Sequence, residues 1–121
     1  MIAYTTIGTA DIESAKAFYV ALLEDLGASV LMDMGRLAAI GVAGGPMLAV
    51  CTPYNEEAPS PGNGNMVALA PGSKELVDKL YAKALELGGT DDGEPGQRMD
   101  GFYGGYFRDP DGNKICFCHF G

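Results

Sequence analysis

Histidine is scarce in this sequence, since His119 is the single one among 121 residues. A Ser, His and acidic set would depend on this one imidazole, and a Cys-His nucleophilic pair would need it on the same face as a cysteine. On an extended strand, however, His119 alternates away from Cys116 and Cys118. We therefore expect His119 on the helix side of its strand or at the surface, and we assign no catalytic residue.

Positive charge is also scarce. Eight Lys and Arg residues stand against sixteen Asp and Glu residues, which gives a formal net charge of -8. Such a chain repels the phosphate backbone that basic patches recognise, so nucleic acid is not an expected partner. The same field attracts cationic small molecules to any cleft that it lines.

Long apolar runs are absent. No segment approaches the roughly 20 apolar residues that a membrane-spanning helix requires, and the first residues lack the basic, apolar and small-residue order of a secretory signal. We therefore expect no membrane partner and a cytoplasmic location. With 47% hydrophobic and 20% charged residues, residues 1–121 are typical of one globular domain.

An even set of cysteines is absent too. The three cysteines are Cys51, Cys116 and Cys118, and the last two are neighbours on the same face of one predicted strand. That arrangement is awkward for a disulfide bond, so we expect three reduced thiols.

What the sequence does contain begins with one strand, one helix and three further strands. Residues 2–8 are β-branched and aromatic, and Asp11 is placed to cap a helix whose apolar residues recur at helical spacing until Gly27. Glycines then divide three short apolar segments, which fit hairpin-linked strands. These segments are residues 28–34, 36–43 and 46–51.

The second half repeats this order at an offset of about 62 residues, as an internal duplication does. The offset places Asp11 over Ser73 and Tyr19 over Tyr81. After the Ser73 cap, apolar residues at helical spacing predict a buried stripe. The stripe consists of Leu76, Leu80, Ala84 and Leu87.

The end of the chain predicts a hairpin. Residues 101–108 and 113–120 are apolar segments joined by DPDGN, in which Pro110 fixes φ and Gly112 can adopt a positive φ. The preceding residues, 90–100, are too polar and glycine-rich to predict a strong strand.

The sequence therefore predicts an α+β fold of two βαβββ modules. Module one covers about residues 1–52, a connector about 53–64, and module two about 65–121. Paired edge to edge, two such modules give a half-open, curved sheet whose concave side is core or pocket. We expect a homodimer with the pocket at or near the module interface.

The whole chain resembles the vicinal oxygen chelate superfamily, which includes glyoxalase I, bleomycin-resistance proteins and extradiol dioxygenases. The resemblance lies in YTTIGTADIESAKAFYVALLEDLGA, ELVDKLYAKALELGGT and YFRDPDGNKI. It implies the glyoxalase-like version of the predicted sheet. It does not select a function, because the superfamily includes isomerases, dioxygenases, thiol transferases and proteins that only bind drugs.

The resemblance also implies where metal ligands would stand. Metal-using members typically carry His on the first strand and Glu on the last strand of each module. In this sequence the corresponding positions are Tyr4, Met66, Cys116 and, by a less secure alignment, Cys51. A hard cation needs imidazole and carboxylate donors, so we expect no metal site and no cofactor. A soft ion such as Cu(I) or Zn²⁺ on the thiols is the alternative.

We expect a small ligand on the concave face. Strand alternation and the resemblance together predict the ligand-binding residues, with Arg36 and Arg98 as contacts for an anion at the rim. The predicted residues are Tyr4, Thr6, Met47, Cys51, Met66, Tyr103, Tyr106, Cys116 and Cys118, with Ala49 and Ala68 on the same face. The alternative is that these apolar side chains form a dimer core.

The predicted function is metal-independent binding of a small aromatic or cationic molecule, as in glyoxalase-related bleomycin-resistance proteins. The first alternative is a lactoylglutathione-lyase-like or dioxygenase-like enzyme of the same superfamily. The second is a redox or soft-metal sensor, although cysteines in mid-strand of an acidic chain should have a raised pKa rather than a lowered one.

Overall fold

The computed structural model describes the whole chain, residues 1–121. The chain divides into two compact units, Met1–Pro61 and Gly62–Gly121. The division lies within the segment that the sequence predicts as a connector. Neither helix of the fold is long and apolar enough to cross a bilayer.

The first unit is a four-stranded sheet with one helix. Strand β1 is parallel to β4, and the remaining neighbours are antiparallel, in the order β1-β4-β3-β2. The elements are β1 Tyr4–Gly8, α1 Ile12–Leu23 followed by a 3₁₀ turn at Glu24–Leu26, β2 Ser29–Asp33, β3 Leu37–Gly41 and β4 Met47–Cys51.

Local chemistry sets both ends of α1. Asp11 is the N-cap, and its Oδ1 accepts a hydrogen bond from the Ser14 backbone N at 3.2 Å. Gly27 ends the helical segment at a φ of 78°, a left-handed conformation that favours glycine. Between these ends the helix buries one apolar face, formed by Ala15, Phe18, Tyr19, Leu22 and Leu23.

The second unit has the same arrangement of strands. Its order is β5-β8-β7-β6, with β5 parallel to β8 and the other neighbours antiparallel. The elements are β5 Val67–Leu69, α2 Lys74–Glu86, β6 Thr90–Met99, β7 Phe102–Arg108 and β8 Lys114–His119. The predicted α+β fold of two βαβββ modules is confirmed.

Helix α2 is capped as predicted, but its buried face differs. The Ser73 Oγ accepts a hydrogen bond from the Leu76 backbone N at 3.1 Å. The predicted stripe is wrong at its ends, because Leu87 is exposed and Leu76 is only half-buried. The buried face consists instead of Val77, Leu80, Tyr81 and Ala84. Tyr81 joins it because its hydroxyl has a polar partner, Asp91, at the edge of the sheet.

Strand β6 is ten residues long, although its sequence predicted little strand. It pairs with β7 through three register shifts, which absorb the residues that fit a regular ladder poorly. Gly93 has a φ of 141°, and a Cβ on Gly105 would lie 2.9 Å from Cγ of Pro95. Gly93 of β6 and Gly105 of β7 therefore fit the local pairing geometry, which the composition of a single strand does not reveal.

The DPDGN segment is a turn closed by a buried carboxylate. Asp109 and Asn113 are both only 5% exposed. The Asp109 Oδ1 accepts hydrogen bonds from the backbone N of Asp111 at 3.0 Å and of Asn113 at 2.9 Å, and its Oδ2 accepts one from Asn113 Nδ2 at 3.0 Å. Gly112 has a φ of 88°, as the turn prediction required. These three hydrogen bonds to Asp109 lie within the turn.

The two units differ in the length of one hairpin. Met32 pairs with Ala39 in the first unit, and residues 33–38 lie between them. At the equivalent rungs of the second unit, Gly93 pairs with Tyr106, and residues 94–105 lie between them. The β6–β7 hairpin is therefore six residues longer than its counterpart.

Candidate functional site

Each sheet has one face covered by its helix and one face without a helix, which we call the helix-free face. In the first unit, Lys16 of α1 binds Asp33 of β2 at 2.8 Å, which identifies the covered face. In the second unit, the hydroxyls of Tyr81 and Tyr103 bond to Asp91 and Asp78 and connect α2 with the sheet. Because side chains alternate along strands, these contacts assign the remaining residues to a face.

The helix-free face of the first unit holds four of the predicted ligand-binding residues. Tyr4 pairs with Met47, and Thr6 pairs with Ala49, so their side chains lie side by side. Cys51 continues the same alternation at the end of β4. Tyr4 and Thr6 are exposed, whereas Ala49 is buried.

The helix-free face of the second unit holds four more. Cys116 lies between Ala68 on β5 and Tyr106 on β7, and Cys118 lies beside Gly104. Met66 precedes β5 in phase with Ala68 and is exposed.

Tyr103 is the exception among the predicted residues. It is three residues from Tyr106 on the same strand, so the two side chains point to opposite faces. Its hydroxyl donates a hydrogen bond to Asp78 Oδ1 of α2 at 2.6 Å, and this bond raises the pKa of Tyr103. The structure therefore places Tyr103 on the helix side of the sheet and not beside Cys116. His119 pairs with Tyr103 and lies on that side, as predicted.

Positive charge surrounds Tyr106 on the helix-free face. The Arg98 guanidinium carbon and the Lys114 Nζ each lie 5.2 Å from the centroid of the Tyr106 ring. Arg108 Nε donates to Asp92 Oδ2 at 3.0 Å, and Lys114 Nζ lies 3.5 Å from the same oxygen. We call these five residues the Tyr106 cluster. Three cations and one carboxylate give the cluster a net charge of +2, although the chain as a whole carries -8.

Sequence reasoning found only part of this cluster. It named Arg98 as a contact for an anion but did not name Lys114 or Arg108, which are in phase with Cys116 and Tyr106 on their strands. Strand alternation alone could have found both. The other predicted anion contact, Arg36, lies in the first unit, where its Nη1 donates to the Thr52 carbonyl oxygen at 2.8 Å.

The buried thiol of Cys116 is a poor nucleophile. Burial raises the pKa of Cys116 to about 11, and the neighbouring Cys118 contributes to the shift. Arg98 and Lys114 act in the opposite direction but do not overcome the desolvation. All three cysteines are free thiols. The expectation of a raised rather than lowered pKa is confirmed for Cys116.

The strand register corrects one of the proposed metal-ligand positions. Cys116 pairs with Ala68, and the residue equivalent to Ala68 in the first unit is Thr6, which pairs with Ala49. The counterpart of Cys116 is therefore Ala49 and not Cys51, which corresponds to Cys118.

The four equivalent positions do not fit a hard metal ion. They are Tyr4, Ala49, Met66 and Cys116, a set that offers neither imidazole nor carboxylate. No group of three or more His, Cys, Asp or Glu side chains is placed to hold a metal ion.

The chain is similar to known proteins in both sequence and fold. A family model described as Glyoxalase/Bleomycin resistance protein/Dioxygenase superfamily matches residues 1–117. A glyoxalase/bleomycin resistance protein from Albidiferax ferrireducens T118 is 35% identical with a TM-score of 0.91, over 100% of this chain and 99% of its own. No curated protein matches the chain.

Two further solved structures share the fold at lower identity. A glyoxalase/bleomycin resistance protein/dioxygenase family enzyme from Burkholderia phytofirmans PsJN is 21% identical with a TM-score of 0.80, over 96% of this chain and 95% of its own. A lactoylglutathione lyase from Agrobacterium tumefaciens is 22% identical with a TM-score of 0.72, over 98% of this chain and 92% of its own.

Proposed function

The chain belongs to the glyoxalase/bleomycin resistance protein/dioxygenase superfamily, and we propose that within it the protein binds a small molecule without a metal ion. The observation that carries the proposal is the donor set at the four equivalent positions. A phenol, a methyl group, a thioether and a buried thiol replace the expected imidazoles and carboxylates. Lewis-acid chemistry on a hard cation has no ligands at these positions.

The helix-free faces support a binding role. They present exposed or half-buried aromatic and sulfur-containing side chains, which suit apolar ligands. In the first unit these are Tyr4, Met47 and Cys51, and in the second unit Met66 and Tyr106.

The direct test combines metal analysis with ligand binding. Elemental analysis and native mass spectrometry of the purified protein should find no stoichiometric Ni, Zn, Mn or Fe. A library of small aromatic compounds should include members that shift amide resonances of the helix-free faces equally well with and without EDTA. One tightly held metal ion per site, with binding or activity that follows the metal, would contradict the proposal.

A second candidate is a lactoylglutathione-lyase-like enzyme, which the fold similarity to the Agrobacterium tumefaciens protein favours. The hemithioacetal of methylglyoxal and glutathione, offered with Ni²⁺, Zn²⁺, Mn²⁺ or Mg²⁺, tests it directly. Turnover above the uncatalysed rate that depends on added metal supports the enzyme. An inert protein under all four metals removes this candidate.

We also propose that the protein is a cytoplasmic homodimer. Supporting the dimer, strand β2 is a sheet edge with every residue exposed, and apolar side chains continue into the following turn. Val30, Leu31, Met32 and Met34 are all exposed. Sedimentation should give a dimer, and Leu31→Lys should shift it to a monomer. Met99→Lys, at an exposed position of β6, is the control and should leave the dimer intact. A monomeric wild-type protein refutes the dimer.

A further inference from the structure

The helix-free face of the second unit has an apolar end and a charged end. At the apolar end, Phe102 and Phe120 lie edge to face with ring centroids 5.4 Å apart, and Phe120 is 75% exposed. At the charged end lies the Tyr106 cluster. Since a strand rises about 3.3 Å per residue, the step from Phe102 to Tyr106 spans about 13 Å. A small ligand with a flat apolar body and one polar head matches this layout.

The Tyr106 hydroxyl differs from the other two tyrosine hydroxyls of this unit. Those of Tyr81 and Tyr103 donate to Asp91 and Asp78 at 2.5 and 2.6 Å. The Tyr106 hydroxyl has no such carboxylate partner, and its ring instead lies beneath two cations. It therefore keeps a donor for a ligand on the helix-free face.

Arg98 is held by a backbone oxygen and not by a close carboxylate. Its guanidinium donates to the Glu94 carbonyl oxygen, and its charge contributes at longer range to the lowered pKa of Asp91, whereas Lys114 shares Asp92 with Arg108. Because Arg98 and Lys114 each lie 5.2 Å from one ring centroid, their charges are no further apart than the sum of these distances. An anionic group beside the Tyr106 ring would be attracted by both charges, while a cation would be repelled.

We propose that this face binds a small aromatic anion. Its carboxylate or sulfonate lies beside the Tyr106 hydroxyl, where Arg98 and Lys114 attract it, and its ring lies against Phe102 and Phe120. This inference rests on the proposed binding function and narrows its ligand class. The net charge of the chain favoured a cationic ligand, but the Tyr106 cluster has the opposite sign. At physiological salt, distant charges are screened, so the charges of this cluster dominate the binding of a ligand beside it.

The experiment is a titration of the ¹⁵N-labelled full chain, followed by amide shifts. The probes are 2-naphthoate, its uncharged analogue 2-naphthamide, and the cationic 2-naphthylmethylammonium. The variants are Arg98→Met and Lys114→Met. Lys74→Met is the matched control, because Lys74 also lies over a tyrosine ring, 5.5 Å from the Tyr103 centroid, on the side of the sheet that α2 covers. Thermal unfolding of each variant shows that it is folded.

We expect 2-naphthoate to shift amides of β7 and β8 and to bind about tenfold or more tightly than 2-naphthamide, as one charge-assisted hydrogen bond predicts. Its affinity should fall about tenfold in Arg98→Met and in Lys114→Met and stay within about twofold in Lys74→Met. Added salt should weaken 2-naphthoate binding but not 2-naphthamide binding.

Two other outcomes separate this inference from the broader proposal. If 2-naphthamide or the ammonium compound binds this face as tightly as 2-naphthoate, the face binds small molecules but the charge preference is refuted. If none of the three probes shifts β7 or β8, the inference is refuted, and the library experiment decides whether the other helix-free face binds ligands.

Discussion

The buried carboxylate of Asp109 should be among the most costly single side chains to remove from the second unit. Asp109→Ala deletes an acceptor of three hydrogen bonds, from the backbone N of Asp111 and from the backbone N and side-chain Nδ2 of Asn113. The two donors on Asn113 are buried, since this residue is only 5% exposed. The variant leaves both of them without this acceptor.

The expected loss follows from these two donors. A buried donor that loses its acceptor costs about 1–3 kcal/mol, and the Asp111 amide costs less because water can reach it, so the total is about 3–5 kcal/mol. Asp109→Asn keeps one oxygen but turns an NH₂ group toward Asn113 Nδ2, which should cost about 1–2 kcal/mol. A domain of this size is stable by only about 5–15 kcal/mol, so Asp109→Ala should unfold far more easily.

Urea denaturation followed by circular dichroism measures the free energy of unfolding for each variant. Asp100→Ala is the matched control, because Asp100 is an exposed aspartate in the adjacent β6–β7 hairpin, and it should change stability by no more than about 0.5 kcal/mol. The order of stability should be wild type and Asp100→Ala, then Asp109→Asn, then Asp109→Ala. A loss below about 1 kcal/mol for Asp109→Ala would refute the reasoning, because it would mean that the backbone alone holds the turn.

Three further predictions concern single side chains. With a pKa of about 11, Cys116 should react with iodoacetamide at pH 8 far more slowly than the half-buried Cys51, as measured by peptide mass spectrometry. Ser73→Ala removes the side-chain cap of α2 and should cost about 1 kcal/mol in urea denaturation. Tyr81→Phe should destabilise the protein at pH 7 because the Tyr81 hydrogen bond holds the pKa of Asp91 below its usual value. That contribution exists above the unfolded pKa of about 4 and is lost as the pH falls through the folded pKa, so denaturation at pH 3 should show a smaller difference.

A different result would contradict each of the predictions for Cys116, Ser73 and Tyr81. Equal labelling rates for Cys51 and Cys116 would show that the thiol of Cys116 is accessible and ionised. Ser60→Ala, at an exposed position of the connector, is the control for Ser73→Ala, and equal effects would contradict the capping argument. A Tyr81→Phe penalty that is the same at pH 7 and pH 3 would exclude the link to Asp91.

Features that depend on neighbouring residues in the sequence were predictable. The caps at Asp11 and Ser73, the helix end at Gly27 and the positive φ of Gly112 each follow from the chemistry of one residue and its local backbone. The repeat of strand and helix order was predictable for the same reason, since periodicity and capping recur in both halves.

Features that depend on which strands pair were not predictable. The counterpart of Cys116 in the first unit follows only from the parallel register of β5 with β8 and of β1 with β4. This register identifies the counterpart as Ala49, whereas the sequence had suggested Cys51. Composition also understated β6, because the place of Gly93 depends on Tyr106 of β7, whose Cδ2 would lie 3.0 Å from a Cβ there.

The candidate site contains both predictable and unpredictable features. Tyr103 was grouped with Tyr106 because both are aromatic residues of one strand, although their separation by three residues puts them on opposite faces. Lys114 and Arg108 could have been placed correctly by counting alternation from Cys116. The approach of Arg98 to Tyr106 depends on the irregular path of β6, and no pattern in the sequence specifies it.

The longer β6–β7 hairpin has a consequence for how the two halves of the chain diverge. Arg98 and Phe102 both lie in this longer hairpin. Changes at the tip of this hairpin can therefore alter ligand preference without changing the helix contacts, the helix caps or the parallel strand pairs. Related chains should differ in specificity mainly through insertions and substitutions in this one segment, with the duplicated framework left untouched.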